Sequence, residues 1–378
     1  MIEAGLPWGN GMRVLLNALQ AGNRSGTGRY VAELARRLPG RAKDVELRVL
    51  WPRHVPLPPA SLPDFFEQVE AGNPLARVYV DQILVHSHAR RFGADLVHYP
   101  ANIGPLFPPG RTVLTIHDLT YFHHPEWFRR NRAAYYRFAT RWSARHANAI
   151  IVDSQATADD CRAFLGLGEE NMAIVPLGVG DEFRPVSSEQ QATARTWYRL
   201  PDQFILYAGT MEPRKNLVRL IAAWDRIADA CPYDLVLAGR DGWKTGPIRA
   251  AAAASLHPRR IHFPGFIAND DLPALYSAAR VLAWPSLFEG FGLPPLEAMA
   301  CGTPVVVSNR SSLPEVVADA GLLVDPDDVE ALSAALFDAA TDESLRNRLI
   351  LSGQARAQGF TWNRTAEMTL QIYREQMK

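Results

Sequence analysis

Cysteine is scarce in this sequence, occurring three times in 378 residues, at Cys161, Cys231 and Cys301. The three are odd in number and far apart, with neither C-x-x-C spacing nor a disulfide framework, which excludes a secreted disulfide scaffold and fits a reducing compartment. Net charge is lacking too: 40 Lys and Arg balance 40 Asp and Glu, without a basic arm or Lys-rich tail. The electrostatic footprint of a nucleic-acid-binding protein is therefore missing, and nucleic acid is excluded as a partner. No stretch approaches the ~18 consecutive apolar residues that a membrane-spanning helix needs. The N-terminus shows no charged segment followed by an apolar run, so the chain is expected to be made and kept in the cytoplasm.

What is present is an ordinary globular composition, 47% hydrophobic and 21% charged, over a length that exceeds one growing core. Two domains are expected. Short aliphatic runs alternate with helical patterns throughout, the mark of parallel sheets covered on both faces, so the class is α/β. The first half reads as strands at Arg13–Leu19, Glu46–Leu50, Leu96–Tyr99, Val113–Ile116, Ala149–Val152 and Ala173–Val175. Helices fall near Tyr30–Leu38, Tyr135–His146 and Gln155–Leu165. The second half repeats the scheme at Phe204–Ala208, Leu235–Ala238, Ile261–Phe263, Val281–Trp284, Pro304–Val307 and Gly321–Val324. A polar stretch after Gly180 puts the boundary near residue 181, giving domains 1–181 and 182–360. A last helix, from Thr361 to Gln376, carries Trp362, Ala366, Met368, Leu370 and Tyr373, enough apolar surface to require docking back across the junction.

Four strand-loop-helix segments concentrate the chemistry. The densest is E-G-F-G-L-P-P-L-E over residues 289–297, followed by a helix that Gly302 and Pro304 stop. Its glycines let backbone amides approach a ligand, and the helix start offers N–H groups and partial positive charge to an anion. The bland alternative is that Glu289 caps the loop and Glu297 complements the helix dipole from the first turn. The second segment, Y-A-G-T-M-E-P-R-K-N over 207–216, ends in two cations, Arg214 and Lys215, either a solvated helix start or charge set against an anion in a dehydrated cleft. The third, G-N-R-S-G-T-G over 22–28, meets neither the G-x-G-x-x-G nor the P-loop pattern. The fourth places His117 and Asp118 at a strand end, where α/β sheets bind ligands, although a lone histidine there is more often structural.

Two glutamates eight positions apart in E-G-F-G-L-P-P-L-E, followed by A-M-A-C-G-T-P-V-V-V-S, resemble the donor-site signature of family 4 glycosyltransferases. The resemblance implies a GT-B fold, two Rossmann-like domains facing each other across a cleft, that moves a sugar from a nucleotide diphosphate donor with retention of configuration. It implies that Glu289 and the amides of Gly290, Phe291 and Gly292 hold the donor sugar, that Leu293 offers an amide to the diphosphate, and that Glu297 binds the ribose. Lys215 would neutralise the departing diphosphate. Many relatives carry an arginine directly after the glycine that Gly209 matches; this sequence has Thr210 there, and by the resemblance Arg214 would be the substitute. The loop ending at Gly28 resembles the family's glycine-rich first loop, and His117 matches a histidine beside the reacting sugar. Backbone groups near Gly265, Phe266 and Ile267 would meet the base, with Phe266 either covering the ring or buried in the core.

G-T-G-R-Y, H-D-L-T-Y and E-P-R-K-N resemble bacterial mannosyltransferases that use GDP-mannose to build polysaccharide or glycolipid, with a glycan or lipid-linked acceptor. No carboxylate pair like that of a retaining glycosidase is evident, so the resemblance implies a front-face route without cofactor or metal. A UDP-sugar-dependent transferase of the same fold, a sugar-nucleotide epimerase and a non-catalytic nucleotide-sugar-binding protein remain as alternatives. His117, His123 and His124 lack zinc-ligand spacing, and D-P-D at 325–327 reads as a turn before a helix capped by Asp. Residues 127–146 hold six arginines and no acidic residue, with Arg130, Arg137, Arg141 and Arg145 sharing one helix face. That face either rests on anionic lipid as a peripheral membrane contact or is simply solvated.

Overall fold

Strands buried on both faces are short and mostly aliphatic, and so are central strands of this protein such as Ala149–Val152 and Phe204–Ala208. The computed structural model describes residues 11–23, 25–58, 63–70 and 80–377; Arg24 of the glycine-rich loop and the first ten residues, on which the leader reading rests, lie outside it. The chain divides into one unit of Met1–Gly178 with Trp362–Lys378, and a second of Val179–Thr361. Among the described residues no helix is long and apolar enough to cross a membrane.

Among the described residues the first unit holds a sheet of seven strands, β1 Met12–Asn17, β2 Val45–Pro52, β3 Phe66–Val69, β4 Leu96–Tyr99, β5 Arg111–Ile116, β6 Ala149–Val152 and β7 Met172–Ile174. Their order is β3-β2-β1-β4-β5-β6-β7, and every pairing is parallel. The second unit has six, β8 Phe204–Ala208, β9 Asp234–Ala238, β10 Ile261–Gly265, β11 Val281–Trp284, β12 Val305–Ser308 and β13 Leu322–Val324. Their order is β10-β9-β8-β11-β12-β13, again all parallel. In both sheets the chain winds outward one way and then reverses, between β1 and β4 and between β8 and β11. Open parallel sheets leave a crevice outside the carboxyl ends of the strands at that reversal.

Several local outcomes differ from the sequence reading. β3 is absent from it because F-E-Q-V is a half-exposed edge segment with no aliphatic run. Helix Gly26–Arg37 starts a turn before Tyr30 and takes in the end of the glycine-rich loop. Gly28 is thus a buried residue of the first helical turn, where a Cβ would stand 1.7 Å from the Asn23 carbonyl oxygen. Its identity is explained by that close packing. Helix Arg130–His146 likewise begins ahead of Tyr135. The last helix, Trp362–Glu375, buries Trp362, Ala366, Leu370 and Tyr373 in the first unit, with Thr365 donating to the Pro176 carbonyl at 2.7 Å.

In the second unit three glycines pin the strand ends together. The Gly209 amide donates to the Ala238 carbonyl at 2.9 Å, and the Gly239 amide to the Gly265 carbonyl at 2.7 Å. Gly239 has φ +134, and a Cβ there would lie 1.9 Å from the Gly209 carbonyl oxygen. Gly239→Ala therefore combines backbone strain with a backbone clash and should lower the unfolding free energy by about 2 kcal/mol or more. A urea melt that matches the wild type would contradict this packing.

Candidate functional site

β8 and β11 are hydrogen-bonded neighbours, with Val281 opposite Ile205, so the loops that leave their carboxyl ends emerge side by side at the reversal of the second sheet. After β8 the chain runs through Gly209–Glu212 into a single 3-10 turn, Pro213–Lys215, then swings through Asn216 at φ +59 into helix Leu217–Asp225. After β11 it passes Phe288 and Glu289 to Gly292, φ +120, which starts helix Leu293–Ala300. The Leu287 amide donates to the Arg214 carbonyl at 2.8 Å and ties the loops together.

Between them sits the carboxylate of Glu289. Its Oε1 accepts from Lys215 Nζ at 2.5 Å and from Trp284 Nε1 at 3.0 Å, and its Oε2 accepts from Arg214 Nη1 at 2.6 Å. Arg214 also donates to the Phe288 carbonyl at 3.1 Å and pairs through Nε with Glu212. The Glu289 amide donates to Ser311 Oγ at 2.9 Å, and the Ser312 hydroxyl meets the carbonyls of Glu289 at 3.0 Å and Phe291 at 2.7 Å. Trp284 stacks on Tyr207 at 5.0 Å between ring centroids, and Lys215 Nζ lies 4.3 Å from the Trp284 centroid on a cation–π contact. Lys215, Glu212 and Glu289 are all buried, whereas Arg214 keeps about a quarter of its side chain exposed (24%).

Burial dominates the proton affinities but does not decide both. Desolvation, reinforced by Arg214, pulls Lys215 down to about 8 despite the nearby carboxylates. For Glu289 desolvation pushes upward, and the charges of Arg214 and Lys215 outweigh it, holding the carboxyl at about 2. The result is two cations and two carboxylates in a largely dry crevice. Lys215 is no solvated helix start, and Glu212, Trp284, Ser311 and Ser312 join the cluster although the sequence reading assigned them no role. The acidic residue two positions before an arginine was the available signal for Glu212.

The remaining candidates distribute unevenly. Gly209 abuts Trp284, and the Thr210 carbonyl accepts from the Tyr207 hydroxyl at 2.9 Å. Gly290, Phe291, Gly292 and Leu293 follow Glu289 directly, with Phe291 edge-on to Phe360 at 5.8 Å. The expected set of free amides at this helix start is reduced, because Pro294 and Pro295 occupy the first turn and have no N–H. The Leu293 amide and the helix dipole remain as anion-attracting groups. Glu297 lies beyond the first turn, so the dipole reading fails; it is buried and accepts from the Tyr276 hydroxyl at 3.1 Å. Ile267 is buried, but Phe266 is 48% exposed, which rules out the core-aromatic reading.

In the first unit His117 follows β5 and is enclosed: Nδ1 lies 2.6 Å from Asp153 Oδ2 and Nε2 lies 3.0 Å from the Pro100 carbonyl. His123 pairs with Asp160, and His124 stacks on Trp127. Asp325 and Asp327 are taken up by Arg310, and Asp327 also by Arg219, while Asp328 caps helix Val329–Thr341. By helical spacing Arg130, Arg137, Arg141 and Arg145 lie on one side of helix Arg130–His146, but that side is not uniformly solvated: Arg137 and Arg141 pack over the Phe122 ring at 5.4 and 4.7 Å, while Arg130 and Arg145 are exposed. Tyr135 and Phe138 are exposed on the same helix, with Arg130, Arg132 and Arg145 exposed around them.

Since Glu289 titrates below its ordinary 4.5, its ionised form contributes stability that is complete above that value and lost as pH falls towards 2. Glu289→Gln removes this contribution and leaves two cations facing no charge at that point, a loss of about 3 kcal/mol at pH 7. The variant's stability should then change less between pH 5 and pH 2 than the wild type's. Parallel acid unfolding curves would contradict the ionised, paired Glu289.

Two family models match the chain: Glycosyltransferase Family 4 over residues 24–183, and Glycosyl transferases group 1 over residues 196–356. It is 33% identical over 372 residues to the O-antigen chain mannosyltransferase B of Escherichia coli, covering 93% of this chain and 96% of that one. It is also 33% identical over 282 residues to the serotype-specific mannosyltransferase WbdA of Escherichia coli, covering 70% of this chain but only 33% of that longer protein. The sucrose-phosphate synthase of Thermosynechococcus elongatus superposes with a TM-score of 0.77 at 24% identity over 96% of this chain and 98% of that one, which shows the same GT-B fold. The chain belongs to glycosyltransferase family 4 and is a glycosyltransferase.

Proposed function

We propose that this glycosyltransferase moves mannose from GDP-mannose, with retention of configuration, onto a hydroxyl of a glycan or lipid-linked acceptor in polysaccharide or glycolipid synthesis. The observation that carries the reading is the pair Lys215 and Arg214 gathered on Glu289 at the sheet reversal, in a family whose relatives above are mannosyltransferases. An entering diphosphate offers these cations a more highly charged partner than the carboxylate, in surroundings where charge is weakly screened. Glu289, relieved of Arg214, then accepts from the donor sugar's hydroxyls beside the amides of Gly290, Phe291 and Gly292. Gly209, Thr210 and Leu293 line the diphosphate, Glu297 serves the ribose, and Phe266 and Ile267 serve the base.

In this reading the bond from the anomeric carbon to the phosphate oxygen breaks and one to the acceptor oxygen forms. The leaving phosphate oxygen takes the acceptor's proton, so the protein's work is positioning and charge stabilisation. Lys215 and Arg214 carry the charge that a metal ion carries elsewhere, and no cofactor is called for. Tyr135 and Phe138, ringed by arginines, form the surface on which the first unit rests against anionic lipid.

The test is turnover with GDP-mannose, UDP-glucose and UDP-N-acetylglucosamine at equal concentration, with and without EDTA. GDP-mannose should be used fastest, and EDTA should leave the rate unchanged. A faster UDP sugar would overturn the donor, and a rate restored only by Mg²⁺ or Mn²⁺ would overturn the metal-free route.

A further inference from the structure

β5 and β6 are parallel neighbours with Ile116 opposite Val152, so the residues that follow them, His117 and Asp153, leave the sheet side by side. Both are buried, and Nδ1 of the histidine is 2.6 Å from Oδ2 of the aspartate. The other ring nitrogen, Nε2, is 3.0 Å from the carbonyl of Pro100, a group that only accepts hydrogen bonds. The histidine backbone is held as well, its amide donating to Asn102 Oδ1 at 2.8 Å and its carbonyl accepting from the Thr157 hydroxyl at 3.2 Å. Asp153 Oδ1 meets no hydrogen-bond partner among the described residues, an arrangement that costs stability.

We propose that Asp153 is the positioning residue that fixes His117 as a donor-only ring with a proton on each nitrogen, so that the Nε2–H, which here meets the Pro100 carbonyl, is the one the ring turns to or shares with the reacting sugar, as a hydrogen-bond donor and not as a base. The proposal rests on the reading that places His117 at the reacting sugar. The remaining surroundings agree with a cationic ring. Asp118 adds a second negative charge from the same loop; burial keeps His98 of β4 neutral, at about 3; and Tyr30, from helix Gly26–Arg37, packs perpendicular to the ring at 4.9 Å between centroids with its hydroxyl held neutral by burial. Burial alone pulls His117 down, and the Asp153 carboxylate more than offsets it, leaving the imidazole above its ordinary value.

The test compares Asp153→Asn, His117→Ala and the wild type in sugar transfer between pH 6 and 8.5. Wild-type kcat should be flat over this range. Asp153→Asn, which keeps the shape but not the charge, should lose about tenfold or more at pH 8.5 and regain rate steadily as pH falls towards 6, because burial without the carboxylate leaves the imidazole below its ordinary ~6.5, with little change in donor KM. A merely structural aspartate gives an equal loss at every pH, which would overturn the proposal. An inactive His117→Ala beside an Asp153→Asn of wild-type rate and profile overturns the role of Asp153 alone. A fully active His117→Ala takes His117 out of the reaction and overturns the proposal at its base. Nitrogen NMR of the wild-type histidine rings at pH 7 decides the matter even if Asp153→Asn does not fold: two protonated nitrogens at His117 are expected, and one bare nitrogen would overturn the proposal.

Discussion

The second unit depends on one buried carboxylate. Glu289 is held by Lys215, Arg214 and Trp284, and through them the loops after β8 and β11 become a single object. Without that carboxylate, a nearly fully buried lysine stacked over an indole would keep only Glu212 as negative company on its own loop. Without the cations, the carboxylate would be an unpaired charge in a low-dielectric crevice. Each charge is tolerable only because the others are there.

Such a cluster is a poor way to stabilise a fold, since well-packed apolar residues of the same volume would usually do as well. In the proposed reading its value lies in what it can exchange. Arg214 and Lys215 are oriented and partly desolvated before any ligand arrives, so an anion that displaces the carboxylate meets cations that need little further ordering. The surrounding devices serve that end. Ser311 and Ser312 fix the Glu289 backbone, the Tyr207 and Trp284 stack fixes the floor beneath Lys215, and the glycine contacts among Gly209, Gly239 and Gly265 hold the strand ends at backbone distance. The proline pair after Leu293 narrows the anion-facing amides at that helix start, which shifts weight from helix amides to side-chain cations.

The parallel sheets were legible because buried strands leave unbroken aliphatic runs: Leu96–Tyr99, Ala149–Val152, Phe204–Ala208 and Val281–Trp284 have the bounds the sequence suggests. The edge strand Phe66–Val69 was not, since an edge needs no such run. Helix starts were read late at Gly26 and Arg130 because glycine, arginine and asparagine hide the first turn from an apolar-period reading. At the site, the spacing of Glu289 and Glu297 and the Arg214–Lys215 pair stood out, but partners that come from far along the chain did not. Asp153 lies 36 positions from His117, and only the register of β5 against β6 brings them together. For the same reason the contact of Arg137 and Arg141 with Phe122, which is on a different helix, is not legible in the sequence.

The central claim is that Lys215 is held ready for a diphosphate and is not merely a structural partner of Glu289. Isothermal titration of GDP into the wild type and into Lys215→Met, which keeps the alkyl stem over Trp284 and removes the charge, tests it most directly. The account predicts GDP affinity at least tenfold weaker in the variant, on the order of 1.4 kcal/mol or more. An unchanged affinity in a folded Lys215→Met protein would contradict it.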